Sequence, residues 1–385
     1  MIYIHVPFCR GFCTYCDFYS EIAGRCRKAD EAIRQEKLFE EYSEALAREI
    51  AGSGCGSGHV NTLYIGGGTP SVLPLSVFSR LLKALDDAGA GGPYEEFTVE
   101  VNPEDIVEKG PEYVDGLLSL GVNRVSMGVQ SFDDDILRWM NRRHDAATAR
   151  KAYAILEEAG VGNISIDLIF GLPQISRSIW TDTLKKALEI SGRGVLPRHI
   201  SSYQLSVAPG RALARLVEEE KWTEASEEEC RSQYSQLCST LAEYGYNHYE
   251  ISNFAVPGYE ARHNSAYWRH VPYMGFGPGA HSFIVGREQM RRWNEPDLEK
   301  YLAAASTGDF APVRGYEILT EDQLVMERVM LGLRTAEGVS EQELRAYCRD
   351  LDAAVASGSL TGSACGKFRI PEDRFFISDT IISEL

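Results

Sequence analysis

The chain opens on an apolar, β-branched run from Ile2 to Val6, and five similar runs follow: Val60 to Ile65, Phe97 to Val101, Arg124 to Val129, Ile164 to Phe170 and His199 to Ser206. Between them lie helix-like stretches: Leu38 to Ile50, Leu75 to Ala88, Tyr113 to Leu120, Ala146 to Ala159 and Ile179 to Ile190. Strand alternating with helix predicts a parallel sheet covered by helices. Six such units, with polar residues gathered at the strand ends, predict an α/β fold: a partial (β/α)6 TIM-like barrel, about two units short of the usual eight.

The pattern changes after Pro209-Gly210. Ser226 and Glu229 form a capping-box pair, and the helix they start places Cys230, Tyr234, Leu237 and Cys238 on one face, so those two cysteines read as core packing. Further capped helices at Thr320/Gln323 and Ser340/Glu343 precede Phe368 to Ile370, a Pro-Glu-Asp turn and Phe375 to Ser378. Helices plus a β-hairpin predict a small α+β, winged-helix-like appendage. The boundaries that follow are 1–210 for the barrel, 211–315 for an extension and 316–385 for the appendage. Ser340 to Leu385 holds five basic and eight acidic side chains, which argues against reading DNA.

Composition narrows the partners. The 385 residues carry a net charge of −17, which disfavours nucleic acid and anionic lipid; a carboxylate-bearing ligand would need local arginines. No apolar stretch approaches the ~18 residues of a membrane span, so no stable membrane insertion is expected. The start of the chain lacks a basic region followed by an apolar one, and nine cysteines without an export signal suit a reducing compartment; a cytoplasmic location is expected. The Gly- and Ser-rich stretch from Ala51 to Gly58 reads as a flexible connection, with Cys55 an incidental exposed thiol.

The densest chemistry is Cys9-Arg-Gly-Phe-Cys13-Thr-Tyr15-Cys16. Three thiols on one short loop turn to one side of an inorganic cluster, and thiolate is the ligand iron-sulfur centres take. Phe18 stands where a fourth cysteine would be, so one iron stays open. Zinc with His5 as fourth ligand is the alternative, but structural zinc wants paired knuckles and no second CxxC pair exists.

One strand later comes Gly66-Gly67-Gly68-Thr69-Pro70, where glycines let backbone approach a ligand; a tight strand-to-helix turn explains them equally well. Glu100 and Gln130 close the next strands with groups that bond hydroxyls. Asp167 interrupts an apolar strand and so requires a partner, either Arg142 or a ligand hydroxyl. Farther on, histidines, tyrosines and a tryptophan bracketed by arginines occur in Tyr246 to Phe254, Arg262 to Arg269 and Gly275 to Ser282, with Arg291-Arg292-Trp293-Asn294 beyond. That composition suits a flat aromatic dicarboxylate, and a polar-capped aromatic core equally.

Tyr3-x-His5-x-Pro7-Phe8-Cys9-x3-Cys13-x2-Cys16-x-Phe18 resembles the radical S-adenosylmethionine (SAM) family, in the branch of oxygen-independent coproporphyrinogen III oxidase and the heme chaperone HemW. The resemblance implies a [4Fe-4S] cluster on Cys9, Cys13 and Cys16 whose open iron takes exchangeable SAM and cleaves it to an adenosyl radical. It implies SAM contacts from Tyr3, Tyr15, Gly67, Gly68, Thr69, Glu100, Gln130, Arg142 and Asp167. Asn141 departs from the glycine usual before that arginine. His263-Asn-x-x-Tyr267-Trp268 resembles the HNxxYW motif of the HemW branch, implying heme contacts from His263, Tyr267 and Trp268, with His248 and His281 as further ligand candidates. Phe18 in place of the oxidase's extra cysteine, and only eight residues ahead of Cys9, favour a chaperone that carries heme as cargo to an acceptor protein. The alternatives are the porphyrinogen oxidase, a coproporphyrinogen dehydrogenase that converts propionates to vinyls, and a radical SAM methyltransferase of the same architecture.

Overall fold

The computed structural model describes residues 1–23, 29–57, 60–173, 176–363 and 366–385. Six strands form its centre: β1 (Ile2–Val6), β2 (Thr62–Gly67), β3 (Glu96–Val101), β4 (Arg124–Gln130), β5 (Ile164–Phe170) and β6 (His199–Gln204). They lie side by side in chain order, each parallel to the last. Strand Met274–Phe276 extends the sheet beside β1, and the antiparallel strands Asn253–Ala255 and Asn247–Glu250 extend it beyond β6, giving nine strands. The crossovers are helical: α1 (Ala29–Ala51), α2 (Leu75–Asp87), α3 (Pro103–Ser119), α4 (Asp134–Trp139), α5 (Ala146–Glu158) and α6 (Arg177–Leu188). This is the open six-unit barrel the strand-helix alternation predicts.

Why one face of the sheet is polar follows from register. Thr98 pairs with Arg124, Glu100 with Ser126, Gly128 with Asp167, and Asp167 with Ser201. These side chains therefore share one face, because alternate residues of a strand point the same way. The intervening Phe97, Val99, Val125, Met127, Ile164 and Ile166 pack into the main apolar core. Burial at roughly 1.5–3 kcal/mol per large apolar side chain holds the sheet. Asp133, Asp145 and Ser176 cap α4, α5 and α6. Gly110, at φ 73, and Pro111 break α3 into two pieces.

A three-stranded antiparallel sheet, His281–Val285, Gln289–Asn294 and Arg314–Ile318, was not foreseen from the sequence. Buried Glu49 of α1 fastens it: Arg314 Nη2 and Asn294 Nδ2 each donate at 2.8 Å, Tyr301 Oη at 2.6 Å and the Gly277 N–H at 2.9 Å. Four donors satisfy a carboxylate that would otherwise be costly to bury.

Of the three foreseen capped starts, Ser226/Glu229 and Thr320/Gln323 are reciprocal capping boxes, and Ser340 caps its helix by accepting from the Glu343 N–H. The C-terminal hairpin is displaced from its expected place: Thr361–Gly362 pairs with Lys367–Arg369, and Val339–Ser340 lies on the other side. Phe375 to Ser378 is not a strand, because Pro371 starts a 3-10 helix over Glu372–Ile377 that buries Phe375. Cys55 is buried, 7% exposed, in a 3-10 turn pressed so closely on Ala88 that a Cβ on Gly56 would meet the Ala88 carbonyl at 1.9 Å. It is a packed thiol, not an exposed one; Gly58, the end of the expected flexible stretch, lies outside the described residues.

Candidate functional site

The loop after β1 is closed at its base, where Phe8–Cys9 pairs with Glu21–Ile22. It is then tied down by the turn that follows α4. Thr14 donates from its N–H to the Met140 carbonyl at 3.1 Å and from its hydroxyl to the Trp139 carbonyl at 2.9 Å, and Asn141 Nδ2 donates to the Phe12 carbonyl at 2.5 Å. Asn141 adopts φ 58, left-handed backbone that asparagine tolerates better than most residues, so the missing glycine does not prevent the turn. Arg142 Nη1 reaches Cys13 Sγ at 3.4 Å, while its Nη2 is fixed by Asn102 Oδ1 at 2.7 Å and the Gly128 carbonyl at 2.8 Å. Thr69 Oγ1 lies 3.3 Å from Cys9 Sγ.

Cys9, Cys13 and Cys16 line one cavity of about 440 Å³ with Tyr15, Gly67, Gly68, Thr69, Glu100, Gln130, Arg142 and Asp167. The loop after β1, residues at or following β2, β3, β4 and β5, and Arg142 from the turn after α4 thus converge on one cavity. Tyr3 does not join them: its hydroxyl bonds His5 Nδ1 at 3.0 Å, and it sits beside Tyr64 as a brace. His5 Nε2 is engaged by the Tyr19 carbonyl at 2.9 Å, so neither ring nitrogen is available as a zinc ligand.

Of the two partners expected for Asp167, Arg142 does not bond it. Ser126 Oγ donates to both its oxygens, at 3.1 and 3.2 Å, whereas Arg142 is committed to Cys13, Asn102 and Gly128. Burial raises the Asp167 carboxyl, opposed by hydrogen bonds from Ser201 and Ser126 and by the cation of Arg124. Glu100 accepts from Tyr64 Oη at 2.6 Å and from the Gly67 N–H at 3.0 Å; burial still pushes its carboxyl up to about 7. Gln130 sits at φ 68 where the β4–β5 register slips, a bulge that re-aims its side chain. Asn102, Arg124, Ser126, Ser201 and Asn264 also line the cavity and were missed. Asn102 had a readable signal, since it follows the last residue of β3 and directly precedes the helix-starting Pro103.

The expected heme contacts behave otherwise. His263, 1% exposed, bonds Thr62 Oγ1 through Nδ1 at 2.8 Å and Tyr267 Oη through Nε2 at 3.1 Å, and its N–H donates to Glu96. Both ring nitrogens are hydrogen-bonded, so the imidazole ties helix Arg262–Trp268 to β2. Tyr267 packs edge-on to Tyr273 at 4.7 Å, and Trp268 is half-buried at the helix end.

Residues 3–187 match the family model described as the radical SAM superfamily. The chain is 34% identical to the heme chaperone HemW of Synechocystis over 346 residues, covering 89% of this chain and 79% of that protein. The chain belongs to the HemW family. Bacillus subtilis HemW is 33% identical, with 92% of this chain and 89% of that protein covered. The zebrafish mitochondrial radical S-adenosyl methionine domain-containing protein 1 is 29% identical over 97% of this chain and 82% of its own length. The HemW-family chain also shares its fold with the coproporphyrinogen III oxidase HemN of Escherichia coli, at a TM-score of 0.79 and 23% identity over 99% of this chain and 88% of that one.

Membership of the radical SAM superfamily implies a four-iron cluster and SAM, and the site fits them. Three thiols border one cavity beside an arginine whose Nε is buried without a partner. Among the described residues no three ligand side chains converge on a single metal ion, whereas a four-iron cluster holds its thiolates farther apart. Burial raises the thiols of Cys9 and Cys16, the latter to about 12, and bound iron would reverse that by stabilising thiolate. No helix among the described residues is long and apolar enough to cross a membrane.

Proposed function

We propose that this protein is a heme chaperone: it binds heme and transfers it to an acceptor protein, using a [4Fe-4S] cluster on Cys9, Cys13 and Cys16 and exchangeable SAM. The observation that carries the reading is the HemW likeness along nearly the whole chain, not just the barrel. Phe18, 60% exposed at the cavity rim, supports it, because it stands where the oxidase pattern has a further cysteine.

When bound, the cluster and SAM supply reductive chemistry at the open iron; the chain's own residues hold and orient. Gly67, Gly68 and Thr69 offer close backbone approach, Glu100 and Asp167 accept from hydroxyls, and Gln130 both donates and accepts. Arg142 supplies positive charge at Cys13. Residues 1–210 would carry the cluster, 211–315 the extension and 316–385 the appendage, and the free thiols suit the cytoplasm.

Anaerobic incubation of reconstituted protein with coproporphyrinogen III, SAM and a reductant should give no protoporphyrinogen IX, while hemin should give a saturable Soret shift. Formation of the vinyl product would make the chain an oxidase, and an unchanged hemin spectrum would remove the chaperone reading.

A further inference from the structure

Imidazole is one of the side chains that hold heme iron, provided a ring nitrogen can reach the metal, and the histidines differ sharply in that respect. His5, His199 and His263 have both ring nitrogens hydrogen-bonded. His144, His248 and His270 are held by Glu104, Tyr234 and Glu327. Among the described residues, His281 is the histidine that is exposed and whose ring has no hydrogen bond or ion pair.

Its surroundings suit a flat ligand. His281 begins the edge strand of the three-stranded sheet and pairs with Trp293, their rings stacked with centroids 6.0 Å apart and planes 24° apart. Trp293 pairs in turn with Gly315, where a Cβ would come within 2.3 Å of the indole. The indole therefore lies down over bare backbone, and the row His281–Trp293–Gly315 makes an imidazole beside a flat aromatic floor. Arg291 stands one row along the same face, opposite Phe283. Partial burial of the ring base and the charge of Arg291 lower the imidazole's affinity for a proton, which favours the neutral form.

We infer that His281, backed by Trp293, is the axial ligand through which the chain holds heme iron, in place of the buried His263. This rests on the heme reading above. It extends that reading by assigning the cargo site to the three-stranded sheet.

Hemin titration of the full-length protein tests it by absorbance. His281→Ala should lose the histidine-ligated Soret and visible bands and weaken hemin binding at least about tenfold, as loss of a metal-ligand contact commonly does. Added imidazole should restore the bands, and His281→Met should shift them to a thioether-ligated pattern. Because His281 is exposed, both variants should fold as the wild type does, with circular dichroism as the check. A wild-type spectrum and affinity in His281→Ala would overturn the assignment while leaving heme carriage standing. A wild type that takes up no hemin would overturn both.

Discussion

Arg142 Nη1 donates to Cys13 Sγ across 3.4 Å, although 129 residues separate the two in sequence. The guanidinium is aimed by Asn102 and Gly128, so three acceptors on three elements share one cation. Lysine carries the charge but lacks the rigid fork. Arg142→Lys should cost about 1.5–3 kcal/mol, the usual worth of a charged hydrogen bond, and lower the iron retained per chain. Thermal denaturation and iron assay check this; wild-type values in both would show that the fork is dispensable.

Asn141 tests the turn beneath that contact. At φ 58 a β-branched residue is strained, and Asn141→Val should destabilise by about 1–3 kcal/mol. Asn141→Gly keeps the backbone and loses the bond to Phe12, for a smaller loss of about 0.5–1.5 kcal/mol. Urea denaturation should rank them wild type, glycine, valine; equal stability of the valine variant and wild type would refute the strained turn.

Glu100 predicts a pH effect. Burial lifts its carboxyl from 4.5 to about 7, so between those values the folded chain binds the proton more tightly than the unfolded chain. Stability of the cofactor-free protein should therefore fall as pH rises through that window. Glu100→Gln removes the fall and should stabilise at pH 8 by about 1–2 kcal/mol, less than the full shift because the carboxylate borders the cavity. The same change should weaken SAM binding. Denaturation midpoints at pH 5 and pH 8 decide the first point; a variant gaining nothing at pH 8 would contradict it.

Gly68 separates ligand approach from a mere turn. A Cβ there would lie 2.7 Å from the Phe8 carbonyl and 2.9 Å from that of Val6, the backbone that leads into Cys9. Gly68→Ala must shift that strand, and reconstituted iron should fall while overall helicity stays. Full iron loading in the alanine variant would show that the strand moves freely.

The parts legible in the sequence were those set by local pattern. β1 and β5 were read to the residue, because their apolar runs end at polar or turn residues. What escaped depends on distant partners. Asp167 announced itself as a buried acid, but only register could assign it Ser126 rather than Arg142. His263 occurs in a motif position, yet its hydrogen bond to Thr62, 201 residues away, ties its ring to β2, which no local pattern shows. The three-stranded sheet has short strands held by Glu49, a residue far off in sequence on α1, so no local signal marked it.

The cavity beside Cys9, Cys13 and Cys16 must join a cluster to SAM if the protein works as proposed. Electron paramagnetic resonance of anaerobically reconstituted, reduced protein tests this most directly. A four-iron signal that shifts when SAM is added is the expected result. No signal, or a signal indifferent to SAM, would contradict it.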